Sequence, residues 1–231
     1  MKLKRLWMAA ATAALLASAA QAETAVKLGV LNDRSGTYAD LSEKDSALYY
    51  QAFAAANCNW LGAGATTNWS DAANWSCGAV KVGDNLIFDS TLFPGGITSN
   101  NNLGFFLVNN VTIKGLNQII ISSSGAAHAI KLNGTLTNDG IDTTVSSKIF
   151  SDFPLGHVTQ SSGALTLTNF NDYGGGTTVN SGFLIIKNVN GLGTGAGDVL
   201  VKKGAQLGFS DFNGTVPTHL TLEGSAAGFP A

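Results

Sequence analysis

Between Gly163 and Leu207 one short phrase recurs: a glycine, alternating aliphatic and threonine residues, then a turn of Gly and Asn. The clearest copy runs from Gly163-Ala-Leu-Thr-Leu-Thr-Asn169 through Tyr173-Gly-Gly-Gly-Thr-Thr-Val179 to Gly182-Phe-Leu-Ile-Ile-Lys187. A strand this short with one apolar stripe cannot bury that stripe alone. It must stack on neighbours of its own kind, which makes a solenoid the first expectation and a long surface, rather than an enclosed pocket, its consequence.

Short runs of β-branched and aliphatic residues recur from residue 58 onward, bounded by Gly, Asn, Ser and Thr. Strands are predicted at 85–89, 105–109, 111–114, 118–122, 129–132, 135–138, 164–168, 177–180, 183–187, 199–202 and 219–223. Alternation is cleanest in Leu165-Thr-Leu167 and Leu220-Thr-Leu222, the pattern of a half-buried strand. A β-sandwich also has many short strands and is the structural rival. Two features favour a parallel β-helix. Related phrases begin at Gly134, Gly163, Gly182 and Gly204, and each interval between them reads as one coil with slack in its loops. Asparagines also sit at strand ends (Asn109, Asn110, Asn138, Asn180, Asn188), where stacked coils can pair side-chain amides. The predicted class is all-β, a right-handed parallel β-helix.

Residues 1–22 read as an export signal: basic Lys2, Lys4 and Arg5, an uncharged run from Leu6 to Ala20, and the small-x-small sequence Ala20-Gln-Ala22. That run falls short of the ~20 residues needed to cross a bilayer. Cleavage between Ala22 and Glu23 takes away three of the 13 basic residues and none of the 15 acids, leaving 10 against 15, a net charge of −5. Arg34 is then the one arginine, so nucleic acid is a poor partner. No later segment reads as a membrane span. Composition shifts near residue 47. Residues 26–31 read as a strand, 47–57 as a short helix, and 57–98 as a Trp-rich cap ahead of repeats at 99–231. Cys58 and Cys77, 19 apart with no histidine within 50 positions, favour a disulfide over a metal site. Two buried free thiols are the alternative.

Residues 163–207 resemble the autotransporter-associated β-strand repeat of bacterial autotransporter passenger domains. The likeness is carried by Gly163, Leu165, Leu167, Asn171, Tyr173, Gly175, Gly176, Thr177, Val179, Gly182 and Leu184. It continues in Leu192-Gly-Thr-Gly195 and Gly204-Ala-Gln-Leu207. Asn59-Trp60, Asn68-Trp-Ser70, Asp71-Ala-Ala-Asn-Trp-Ser76 and Gly83-Asp-Asn-Leu-Ile-Phe88 resemble the N-terminal cap of those proteins. The resemblance implies that Trp60, Trp69 and Trp75 close the first coil by packing; a carbohydrate-stacking platform is the alternative. Val26-Lys-Leu-Gly-Val-Leu-Asn-Asp-Arg-Ser-Gly-Thr-Tyr-Ala-Asp-Leu-Ser42 is similar to the opening of periplasmic binding proteins of branched-chain amino-acid importers. That likeness stops by about residue 46, so residues 23–56 read as a fragment joined to a passenger. A complete autotransporter adds a membrane β-barrel of ~10-residue alternating strands. Residues up to Ala231 show no such pattern, which implies a truncated passenger, periplasmic if it lacks a translocator.

β-Helices also host polysaccharide-cleaving enzymes, whose chemistry needs two facing carboxylates about 5–10 Å apart. Asp139 and Asp142 are the nearest candidates, yet no arginine or close lysine joins them. His128, His157 and His219 lack an accompanying Gly-x-Ser-x-Gly elbow, and phosphate, dinucleotide and calcium-loop motifs are absent from the sequence. No catalytic, cofactor or metal residue is assigned. The expected function is a non-enzymatic, exported β-helical passenger that reaches the cell surface through the export machinery. There it would bind an unidentified protein or glycan, or act as a stalk. The alternatives are an amino-acid-binding importer component and a polysaccharide-degrading enzyme.

Overall fold

The structure is a computed structural model that describes residues 55–152, 154–193, 197–211, 214–216 and 219–224. The export signal, its Ala22/Glu23 cleavage site, the importer-like segment and the strand at 26–31 lie outside the described residues, as do Thr194 and Gly195. The expected helix at 47–57 meets the structure only at its end, where Ala55 and Ala56 are irregular and Asn57 opens a strand. Among the described residues no helix is long and apolar enough to cross a membrane.

In chain order the strands are β1 (Asn57–Asn59), β2 (Asn85–Asp89), β3 (Ile97–Asn101), β4 (Phe105–Val108), β5 (Val111–Gly115), β6 (Ile119–Ser123), β7 (Ala129–Leu132), β8 (Thr135–Gly140) and β9 (Asp142–Val145). They continue as β10 (Lys148–Phe150), β11 (His157–Gln160), β12 (Ala164–Leu167), β13 (Thr177–Val179), β14 (Phe183–Ile186), β15 (Val199–Val201), β16 (Gln206–Phe209) and β17 (Leu220–Leu222). Short 3₁₀ turns at Ala72–Asn74 and Ser90–Leu92 are capped by the carboxylates of Asp71 and Asp89.

Among the described residues every strand pair is parallel, and each coil feeds its strands to the same sheets in turn. The first sheet has the order β1-β2-β5-β8-β11-β13-β15-β17, the second β3-β6-β9-β12-β14-β16, and the third β4-β7-β10. This is a parallel β-helix. A sandwich requires antiparallel ladders, and here the one antiparallel contact is an isolated bridge, Trp60 to Trp75. Register shows the length of each coil directly. Leu86 pairs with Val111 and Val111 with Leu136, two equal steps, whereas the step from Val158 to Thr177 is shorter. The first three full coils carry a strand on the third side, β4, β7 and β10; the later described coils turn there without one.

Inside, stacked side chains form columns. One runs Cys58, Leu86, Val111, Leu136, Val158, Thr177 and Val199, all buried. Another runs Thr143, Leu165 and Leu184, beside Val145, Leu167 and Ile186. Burying one such aliphatic side chain stabilises by about 1.5–3 kcal/mol, and each coil obtains that only from the coils on either side.

The glycine phrases do not all fall in one column. Gly163 and Gly182 stack, since Phe183 donates its amide to the Gly163 carbonyl at 2.8 Å. Gly182 has a φ of +71°, and a Cβ there would strike that carbonyl, so only glycine fits. Gly134, in contrast, precedes β8 in the first sheet, over the Asn109 carbonyl. Gly204 is one residue out of step, because Phe183 pairs with Gln206. The long interval from Gly134 to Gly163 therefore spans a change of sheet rather than a coil.

Candidate functional site

The N-terminal end is closed by an aromatic cluster. Trp60 meets Trp75 edge-on at 5.0 Å between ring centroids, Trp69 meets Trp75 at 5.9 Å, and Phe88 lies 5.6–6.1 Å from all three. The tryptophans are 4%, 0% and 2% exposed, in the order 60, 69, 75, so none offers a ring face to a sugar. This arrangement overturns the carbohydrate-platform alternative. The Trp75 Nε1 donates to the Trp69 carbonyl at 3.0 Å. The loop carrying them is held by Asn74, which is buried. Its Nδ2 donates to the Thr66 and Asn68 carbonyls at 2.8 and 2.9 Å, and its Oδ1 accepts from the Gly64 amide at 2.8 Å.

Beside the cluster, Cys58 and Cys77 are joined by a disulfide with Cα atoms 5.1 Å apart. Asp84, itself buried, accepts from the Ala56 and Lys81 amides at 3.0 and 2.7 Å, and one carboxylate oxygen is 3.4 Å from the Cys58 sulfur. The two sulfurs and this carboxylate lie within 4.8 Å of one another. With the sulfurs bonded together, neither is a thiolate ligand and the Cys58 sulfur has no proton to donate. A shallow depression of about 390 Å³ lies next to the cap, between Trp60, Phe93 and the Gly62–Thr67 segment.

The repeat-motif residues divide by role. Leu165, Leu167, Val179 and Leu184 face inward and are buried, and Leu207 stands over Leu184. Asn171 acts as a strut on the third side. Its Oδ1 accepts from the Ile149 amide of β10 at 2.9 Å and its Nδ2 donates to the Gly191 carbonyl at 2.8 Å, which ties three successive coils beside the parallel bridge of Phe150 to Asp172. Tyr173 is buried two residues on, its hydroxyl 2.7 Å from Thr177 Oγ1. Burial pushes its phenol well above the ordinary tyrosine range. Gly175 and Gly176 make the turn into β13, where Gly156 and Asp198 carbonyls lie too close for any side chain.

Outside, the solenoid presents registered polar columns. Thr112, Thr137, Thr159 and Thr178 are stacked on four successive strands of the first sheet. At its corner the Asn85 Oδ1 accepts from the Nδ2 of both Asn109 and Asn110 at 3.0 Å, and Asn85 donates in turn to Asn57 at 2.9 Å. The third sheet carries an apolar and cationic patch. Phe105, 64% exposed, lies edge-on to Phe150 at 5.6 Å, and the Lys148 Nζ sits 4.9 Å from the Phe170 ring. Asp139 accepts from Ser162 Oγ and Asp142 from Gln118 Nε2, so each carboxylate is engaged by the neighbouring coil. His157 bridges coils, touching the Gly175 carbonyl and Thr178 Oγ1 at 2.7 and 3.1 Å.

Comparison with known proteins gives no match to a protein-family model, to a curated protein or to a solved structure. The reading of function therefore stands on the sequence and on this geometry.

Proposed function

We propose that the chain is an exported, non-enzymatic β-helical passenger of the autotransporter kind, serving surface adhesion or acting as a stalk. The observation that carries the proposal is the unbroken register of outward-facing columns: Thr112 to Thr178, and the Asn57–Asn85–Asn109 ladder, fixed by parallel strands. Such a face is rigid before any ligand arrives, so binding costs little ordering entropy. A repetitive polar surface also suits a repetitive partner, whether a glycan or an extended protein. The motif at residues 163–207 supports the family assignment, and the signal-like residues 1–22 support export.

Two measurements test this together. Mass spectrometry of the exported chain is expected to find Glu23 as the first residue, with the protein accessible to protease added to intact cells. Purified protein immobilised on beads is expected to bind saturably within a panel of glycans and extracellular-matrix proteins. Retention in the cytoplasm with residues 1–22 attached would sink the export reading. Release of cleaved sugars from a glycan substrate, abolished by Asp139→Ala or Asp142→Ala, would replace adhesion with catalysis.

A further inference from the structure

Among the described residues, β17 is the outermost strand of the first sheet. Leu220 and Leu222 stand on Val199 and Val201, which face the interior and are buried. The same inward positions on β17 are 43% and 64% exposed, and they line a depression of about 490 Å³ with Val201, Ala205 and Leu207. Glu223 donates its amide to the Val201 carbonyl, and the His219 carbonyl accepts from Val199. The backbone groups of the alternate residues Leu220 and Leu222 therefore point to the outer edge, a template for another strand.

We propose that the occupant is a second copy of this chain, set open end to open end with its β17 antiparallel to the first. Two observations and a rule of symmetry select this partner. Among the described residues, the end of the solenoid that begins at Asn57 is closed by buried Trp60, Trp69 and Trp75, so head-to-tail stacking of the described coils has no second open face. Contact between two like ends is isologous and closes as a dimer. The edge strand is also self-complementary. With the two-fold axis at Thr221, antiparallel pairing sets Leu220 opposite the second copy's Leu222, and His219 opposite the second copy's Glu223. Each pair occurs twice. Leu220 and Leu222 become the hydrogen-bonded pairs of the ladder, as their free backbone groups require. The join continues the apolar columns across the axis and covers the exposed leucines. Within one copy, His219 Nδ1 lies 3.7 Å from Asp198, so the strand's start already faces an acid.

Sedimentation or light scattering of the full chain over a dilution series is expected to show a monomer–dimer equilibrium. Leu222→Lys should raise the dimer Kd by roughly a hundredfold, by placing a charge in the covered centre. His219→Glu should raise it roughly tenfold, because it sets like charges opposite each other twice. Adding Glu223→His to His219→Glu should recover most of that loss. The loss of the Asp198 contact within one copy is common to the single and double variants, so the recovery reports the contact between copies. Circular dichroism melts check folding: these positions are exposed in the monomer, so a dilute sample of each variant should melt like the parent. A monomer at every concentration overturns the proposal, including the case where footprinting shows Leu222 covered by residues 225–231. Equal weakening in the single and double charge variants also overturns it.

Discussion

At one end of the described coils Trp60, Trp69 and Trp75 cover Phe88, and all four are buried; at the other, Leu220 and Leu222 stand on buried valines and remain 43% and 64% exposed. The residue types at the two ends are equally apolar. What differs is what lies on top of them. A β-helix buries each apolar column by continuing it, so an end needs either large side chains folded over it or another strand. The cap meets that need with indoles, a disulfide and the buried amide of Asn74, whereas the last of the described coils presents an edge.

The contrast can be tested by substitutions, from the largest effect down. Trp69→Ala removes a fully buried indole at the centre of the cap and is expected to cost about 3–5 kcal/mol. Urea denaturation measures it, and a loss below about 1 kcal/mol would mean that the cap does not hold the first coils. Next, Leu184→Ala should cost about 2–4 kcal/mol, because both neighbouring coils pack on it, while Leu220→Ala should cost well under half of that in the monomer. Equal losses would show that the end is covered in solution. Reduction of Cys58–Cys77 should then cost about 3 kcal/mol for a loop of its length. Hydrogen exchange is expected to rise around β1 and β2 and to stay unchanged in β13 to β15.

A smaller effect is expected at Asp89, whose carboxyl is held below its ordinary pKa by hydrogen bonds from Thr91, with Lys114 at 3.1 Å adding to it. A lowered folded pKa contributes stability that is present above the unfolded value of 3.8 and is lost as pH falls through the folded value. The pair is largely exposed, so Asp89→Asn should cost well under about 1 kcal/mol at neutral pH. The variant and parent should converge in urea midpoint in acid; a gap that persists there would assign the effect to the cap on the 3₁₀ turn rather than to charge.

Strands with aliphatic alternation were legible in the sequence. Strands were read at 85–89, 111–114 and 164–168, and there Leu86 and Phe88, Val111 and Ile113, and Leu165 and Leu167 face inward; Leu220 and Leu222, read as half-buried from the same alternation, are exposed. Six described strands escaped: β1, β10 and β16, which are only three or four residues long, and three whose inward positions include polar side chains. β3 turns Ile97, Ser99 and Asn101 inward, β9 turns Thr143 and Val145, and β11 turns Val158 and Gln160. Such runs resemble turns, because asparagine and serine favour turns wherever nothing else satisfies them. Inside the solenoid the neighbouring coil does so: Asn138 donates to Gln160 Oε1 at 2.8 Å, and Asn101 to the Ala129 carbonyl at 3.0 Å. The pairing of asparagines between coils was anticipated and is found at Asn85 with Asn109 and Asn110. The roles of Asn74 and Asn171 were not, since an asparagine beside a tryptophan or a tyrosine carries no sign of which carbonyl it will reach.

By itself the sequence determined that this chain stacks. Its strands are too short and its stripes too narrow to be buried otherwise, and glycine at Gly182 marks where one coil presses on the next. Only the tertiary structure decided which phrases share a column, why Gly134 belongs to another sheet from Gly163, and which end is closed. Those outcomes depend on register, and register is set by contacts such as Leu86 on Val111 and Val158 on Thr177, each a full coil apart, that no local pattern encodes.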